Sequence, residues 1–424
     1  MKRFTILLTA LWMASLPVVA QDTLTVVQYN LLNYGNYTSY CSQAVNPVAD
    51  KDEYLKLITD QLRPDIFSVN ELSPDGGFAD RILNNVLNRD GETRYARINV
   101  PNYAGSELVN MVYYNTHKLA FYSQVVAQST LRDIDVVKFY FRGNGLGQGD
   151  TAFLNCVVAH LKAGEAASDA TERTVMVMNT LNYLDQNLTP GNYLFMGDLN
   201  LYSHTEGAFV ALTGSFGPNW TFNDPADRVG EWHNNDLYAT VHTQSTHTSS
   251  GCWASGGMDD RFDFILATNP LINGTQQVQY VPGSYFTLGQ DGQHFNKALT
   301  DAPALQLPAD LVNALYTNSD HLPVSLRLKV DQSLGMEQAN AVEWFDAVVA
   351  NRQLRLNLRL LKATSLQLTL HNLRGEQVWS QALSAAAGSQ SFDFAIGSHL
   401  NGLFLLSVAS DDGRRTTRKV MILN

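Results

Sequence analysis

Residues 193–203 read YLFMGDLNLYS. The first four form an apolar run of the kind a fully buried strand presents, and Gly-Asp-Leu-Asn then breaks it with a turn former and two hard oxygen donors. The chain repeats this pattern. Asn30 follows TLTVVQY, Glu71 follows DIFSVN and His160 follows LNCVVA, while Asp263 interrupts RFDFIL and Asp320-His321 precedes LPVSL. A single polar residue after a strand is ordinary turn chemistry. Taken alone, Asp198 reads as a turn aspartate, Asp320 as a cap before Pro323 and His160 as a satisfied core histidine. Carboxylates, amides and imidazoles at so many strand mouths exceed what turns require. Converging at strand ends, they would make an oxygen-rich pocket suited to Mg²⁺ or Mn²⁺, with Ca²⁺ also admitted.

Between these motifs the chain alternates short strands with helical stretches. Strands are expected over 24–29, 65–69, 111–114, 153–159, 193–196, 264–267 and 323–330. Helices are expected over 53–62, with Leu55, Ile58 and Leu62 on one face, and over 78–89, with Phe78, Ile82 and Val86. A third, capped by Ser168 or Asp169, runs to Asn187 with Val175, Met178, Leu181 and Leu184 inward. A mixed α/β region with this many strands fits two packed sheets covered by helices. The segment 143–149 (GNGLGQG) lies between two strand-like runs and reads as a hairpin loop; it lacks the GK[ST] of a phosphate loop.

Six segments, VVQYNLLNYGN (26–36), RPDIFSVNEL (63–72), HLKAG (160–164), FMGDLNLYS (195–203), RFDFIL (261–266) and SDHLPV (319–324), resemble the endonuclease/exonuclease/phosphatase superfamily in type and order. The resemblance spans almost all of 24–330 and implies a four-layer α/β/β/α sandwich with its active site at one edge of two sheets. By that resemblance Glu71 binds a divalent metal, Asn30 steers Glu71, and Asp320 completes or neighbours the metal site. Asn70 stands where the family more often has glutamine. Asp198 would position or deprotonate the attacking water, with Asn200 beside it. Asp263 would fix His321, and His321 and His160 would donate to phosphoryl oxygens. Arg132 is a further candidate for a phosphate contact, or an ordinary surface arginine. Such a set suits phosphoester hydrolysis, in which charge neutralisation and a placed proton acceptor lower the barrier.

The implied activity is a metal-dependent phosphodiesterase, with a nuclease acting on extracellular DNA, and also RNA, as the preferred substrate reading. The alternatives are a phosphomonoesterase or lipid-headgroup phosphodiesterase, and a non-catalytic surface-binding protein. Residues 21–330 carry 18 Lys and Arg against 32 Asp and Glu, a charge of −14 within a whole-chain −11. That field argues against tight nonspecific binding to polyanions but not against turnover. Aromatics and histidines crowd 201–260 (Trp220, Trp232, Trp253, His233, His242, His247) and 268–318 (Tyr280, Tyr285, Phe286, His294, Phe295). They read either as base-stacking groups or, more simply, as a satellite core under long loops.

The two ends differ from this middle. Residues 1–20 (MKRFTILLTALWMASLPVVA) have the basic start, apolar stretch and small-residue end of a secretory signal peptide. Beyond them no apolar run is long enough for a membrane span. An exported chain meets oxidising conditions, so Cys41 and Cys252, both in loop-like sequence, read as paired or unpaired with equal ease, and Cys156 as a buried free thiol. After a linker at 331–342, residues 343–424 alternate apolar and polar with a period of two and break at Arg374-Gly375, Asn401-Gly402 and Asp412-Gly413. They read as a small all-β sandwich without a cluster capable of chemistry. Their succession of LRGEQV, LNGLFLLSV and RKVMIL resembles the C-terminal sorting domain of type IX secretion substrates; the alternative is an immunoglobulin-like binding module. The resemblance implies recognition by the type IX secretion machinery and export through the periplasm to a secreted or cell-surface location; a monomer is expected.

Overall fold

The computed structural model describes residues 22–331 and 342–422, apart from 144, 145, 147–150, 215, 217–219, 351, 361, 373, 375, 398, 399 and 411–414. The signal-peptide reading of 1–20, nearly all of the 331–342 linker and most of the 143–149 loop therefore lie outside the described residues. The chain divides into two compact units, with the boundary between Leu334 and Gly335.

The first unit begins with β1 (Asp22–Tyr34), α1 (Val48–Leu62), β2 (Ile66–Leu72), α2 (Gly76–Arg81), β3 (Tyr95–Arg97), β4 (Val109–Asn115), β5 (Leu119–Gln128) and β6 (Ile134–Phe141). It continues with β7 (Phe153–His160), α3 (Ala167–Asn187), β8 (Tyr193–Asp198), α4 (Gly207–Thr213), β9 (Phe222–Asn223), β10 (Asp263–Thr268) and α5 (Asn269–Asn273). The last elements are β11 (Val278–Tyr280), β12 (Phe286–Thr287), α6 (Ala309–Asn318) and β13 (Val324–Val330). One sheet runs β11-β13-β1-β2-β4-β3 with β12 against β13; the other runs β5-β6-β7-β8-β10-β9.

Period-two alternation decides which face meets what. On β7, Leu154, Cys156 and Val158 join the core between the sheets, while Val157 and Ala159 join a second core beneath α3 and α4. β8 divides the same way, with Leu194 and Met196 inward and Tyr193 and Phe195 outward; on β10, Ile265 and Ala267 oppose Phe264 and Leu266. The other sheet is covered by α1 and α6 through Leu55, Ile58, Leu311 and Leu315. The unit is thus a four-layer α/β/β/α sandwich, as expected.

Three local expectations are corrected. α1 starts five residues before the expected 53. The expected single helix over 78–89 is α2 followed by a wider π-helical turn over Ile82–Leu87. α3 is rotated from the expected face: Val175 is exposed, and Arg173, Met176, Val177, Thr180, Leu181 and Leu184 are buried. The apolar pattern misleads there because buried Arg173 holds Glu206 and the carbonyls of Lys162 and Gly164, so a charged residue takes part of the inner face.

In the long loops Trp220 and Trp232 are fully buried against Tyr193, Phe209 and Phe264, and so form a satellite core rather than a stacking surface. Buried Arg261 beneath them is forked by the Asp224 carboxylate, at 2.8 Å to each oxygen. Cys41 and Cys252 form a disulfide, and Cys156 is free and buried.

The second unit has two antiparallel sheets. One is β14 (Val342–Ala350), β15 (Gln353–Leu360) and β18 (Gly388–Ala395), in the order β14-β15-β18. The other is β16 (Thr364–His371), β17 (Gln377–Ala385), β19 (Gly402–Ser410) and β20 (Arg415–Ile422), in the order β17-β16-β19-β20. Leu354, Leu356, Leu358 and Leu360 share one core with Leu366, Leu368 and Leu370 from the other sheet.

Candidate active site

Strand register gathers the scattered polar residues at one end of the first unit. β7 and β8 are parallel and pair His160 with Asp198; β10 is antiparallel to β8 and pairs Asp263 with Asp198. His160, Asp198 and Asp263 therefore form one row across a sheet. On the facing sheet parallel β1 and β2 pair Asn30 with Asn70, and β13 enters at the same end, pairing Val324 with Gln28. Gly197 allows β8 to come this close to β7. Its φ is +149°, and a Cβ there would lie 1.7 Å from the Ala159 carbonyl oxygen.

Asn30 ties the two sheets together. Its Nδ2 donates to Glu71 Oε1 at 3.0 Å and to Asp198 Oδ2 at 2.9 Å. Its Oδ1 accepts from the Leu32 N–H. Glu71 has a left-handed backbone (φ +59°), and its second oxygen accepts from the Asn33 N–H at 3.0 Å. Asn70 makes the other crossing: its Oδ1 accepts from the Asp198 N–H at 2.8 Å, and its Nδ2 donates to Asn110 and to the Ala159 carbonyl. Asn200, also left-handed, donates its N–H to Asp198 Oδ1 and its Nδ2 to the Leu161 carbonyl.

Ligand atoms of Glu71, His160 and Asp198 all lie within 4.8 Å of one another. Two carboxylates and an imidazole this close together could hold a divalent cation. His160 belongs to this group with Glu71 and Asp198, and Asp320 is not one of its three members. Asp320 Oδ2 accepts from the Ala254 N–H at 2.8 Å and from Gln244 at 3.3 Å, while its Oδ1 is buried without a partner among the described residues.

Two histidines face Asp198 in opposite electrostatic states. His321 Nδ1 donates to Asp263 Oδ2 at 2.7 Å, and its Nε2 lies 3.8 Å from Asp198 Oδ2. Burial depresses the His321 pKa, but the Asp263 and Asp198 charges outweigh burial and hold it well above the ordinary value. His160, with Nε2 3.5 Å from Asp198, is held well below its ordinary value by burial and by the Arg132 and His321 charges. Of the two rings, His321 is thus the one favoured as the cation and His160 the one favoured neutral. Burial pushes Asp198 up to about 7, with Asp263 and Glu71 adding to the rise. Arg132 is partly buried, donates to the Leu161 carbonyl at 3.1 Å and feels the Glu71 and Asp198 charges, which places it at this site's rim.

Gln244 was not anticipated by sequence reasoning. Its side-chain amide nitrogen donates to Asp320 Oδ2 at 3.3 Å and lies 2.7 Å from His321 Nε2, a contact that suits a neutral ring as acceptor and that a protonated ring meets with the amide turned over. Thr243 beside it accepts from the Asp263 N–H. Both sit in the polar stretch HTQSTHTSS, which has no periodicity to separate a site residue from a loop residue.

No family model matches the sequence, and no curated protein matches it. Among solved structures the chain is similar to TDP2 of D. rerio complexed with single strand DNA product, at 15% identity, covering 72% of this chain and 99% of that one with a TM-score of 0.45. It is similar to an endonuclease/exonuclease/phosphatase of Beutenbergia cavernae at 15% identity, covering 94% and 100% with a TM-score of 0.39. An endonuclease/exonuclease/phosphatase family protein of Bacteroides thetaiotaomicron shows 13% identity, covering 74% and 96% with a TM-score of 0.43.

Proposed function

We propose that the chain is a divalent-metal-dependent phosphoester hydrolase, and specifically a nuclease that cleaves extracellular DNA and also RNA. The observation that supports it most is Asp198, which belongs both to the Glu71–His160–Asp198 donor set and to the relay running through His321 to Asp263. Glu71, His160 and Asp198 would hold the cation, which when bound neutralises phosphoryl charge and stabilises the leaving oxygen. His321, kept protonated by Asp263, donates to a phosphoryl oxygen as negative charge develops there. With His321 already carrying its proton, the acceptor for the attacking water is the Asp198 carboxylate, which faces His321 Nε2 at 3.8 Å. Asn30 and Asn200 hold that carboxylate in place, and Arg132 at the rim supplies a second positive charge for the substrate.

Residues 1–20 would direct export, and the C-terminal unit would address the protein to type IX secretion machinery as a monomer. The charge of −14 over 21–330 favours a second reading, a hydrolase of small phosphoesters or lipid headgroups. One assay separates the readings: the full chain is given supercoiled plasmid, linear RNA, sphingomyelin and inositol phosphates with Mg²⁺ or with EDTA. Plasmid nicking that EDTA and Asp198→Ala abolish supports the nuclease. Turnover of small esters alone supports the second reading, and a folded protein that turns over nothing supports a binding role and overturns the proposal.

A further inference from the structure

Lys51 is a lysine only 1% exposed, placed beneath the site on the first turn of α1. A buried ammonium survives only when its donors are used. Here all three have acceptors: the Leu32 carbonyl at 3.3 Å, Asn46 Oδ1 at 3.0 Å and the Asn318 carbonyl. A neutral amine would leave one of them unserved. Burial lowers the Lys51 pKa to about 7, against an upward pull from the Asp320 and Glu71 charges.

The acceptors matter because of what they carry. Leu32 and Asn33 are consecutive left-handed residues (φ +47° and +53°), a conformation that persists only where surroundings impose it. Asn46 Nδ2 donates to the Leu32 carbonyl, so Asn46 and Lys51 together grip this turn. The turn presents the Asn33 N–H to Glu71 Oε2. The third acceptor, Asn318, opens the segment leading to Asp320 and His321, where Ser319 Oγ donates to the Asn30 carbonyl and accepts from the His321 N–H.

We infer that Lys51 is a positioning residue, a hidden three-armed clamp that fixes Glu71 and His321 relative to each other without touching substrate. The inference rests on the hydrolase reading above. The test compares wild type, Lys51→Met, Asn46→Ala and, as a core truncation on the same helix, Ile58→Ala, all as full chains. Melting temperature, Mn²⁺ affinity by calorimetry, and kcat and KM on plasmid are measured for each. Lys51→Met should weaken Mn²⁺ binding and lower kcat by roughly 10- to 100-fold with KM little changed, and Asn46→Ala should do the same more mildly. Ile58→Ala should lower the melting temperature while leaving Mn²⁺ affinity and kcat near wild type. If Lys51→Met does not fold, Asn46→Ala carries the test alone. Should both clamp variants behave like Ile58→Ala, Lys51 is structural only and the inference fails. A wild type that binds Mn²⁺ but hydrolyses nothing sinks the hydrolase reading, and the Mn²⁺ affinities alone then decide Lys51. A wild type that does neither overturns both.

Discussion

Asp263 accepts from His321 Nδ1 and also adds its charge beside Asp198. A histidine whose pKa is raised in the folded state adds stability that is fully present below its unfolded value, near 6.5, and is lost as pH climbs through the folded value. Asp263→Asn removes the largest raising charge, so His321 should release its proton at lower pH. The alkaline limb of kcat/KM against pH should then move down by about one unit or more, with a greater loss at pH 8 than at pH 6. An alkaline limb that stays in place would assign it to another group. At this scale the sequence was informative about residue type and poor about state. His160 and His321 follow or precede strands in the same way, yet burial beside Arg132 makes one neutral and the Asp263 partner makes the other cationic. Lys51 carried no signal at all, because a lysine in DKDEYLKL reads as a solvated helix residue.

At the scale of elements, the site is a consequence of register. Apolar runs ending in a polar residue announced β1, β2, β7 and β8, and parallel pairing then aligns their ends. Residues at regular strand ends were therefore legible, whereas Gln244 and Asn33 were not: Gln244 lies in a loop and Asn33 in the irregular, left-handed end of β1, and no periodicity specifies either backbone. The turn of α3 and the π-helical widening at Ile82–Leu87 escaped for the related reason that a buried arginine and a local change of hydrogen-bonding pattern leave no apolar repeat. The tightest point in this register is Gly197. Gly197→Ala places a methyl group against the Ala159 carbonyl and forces an alanine to φ +149°, so it should destabilise the first unit by about 3 kcal/mol or more in denaturant unfolding. A loss under about 1 kcal/mol would mean that β7 and β8 can separate without harm to the sandwich.

Across the whole molecule, the proposed cation links chemistry to stability. Without metal, buried Asp198 is raised to about 7, so the stability it contributes is whole below its unfolded value near 4 and is lost as pH rises through the folded one. Metal binding needs the ionised carboxylate and offsets that loss. Added Mn²⁺ should therefore raise the melting temperature more at pH 8 than at pH 5; equal gains at both would detach the metal from Asp198. The most direct measurement is the anomalous scattering of Mn²⁺ in crystals of the full chain grown with the ion. The account predicts a peak within coordination distance, about 2.0–2.6 Å, of carboxylate oxygens of Glu71 and Asp198, with His160 at the same ion. A strong peak elsewhere, with none beside Glu71, would contradict it.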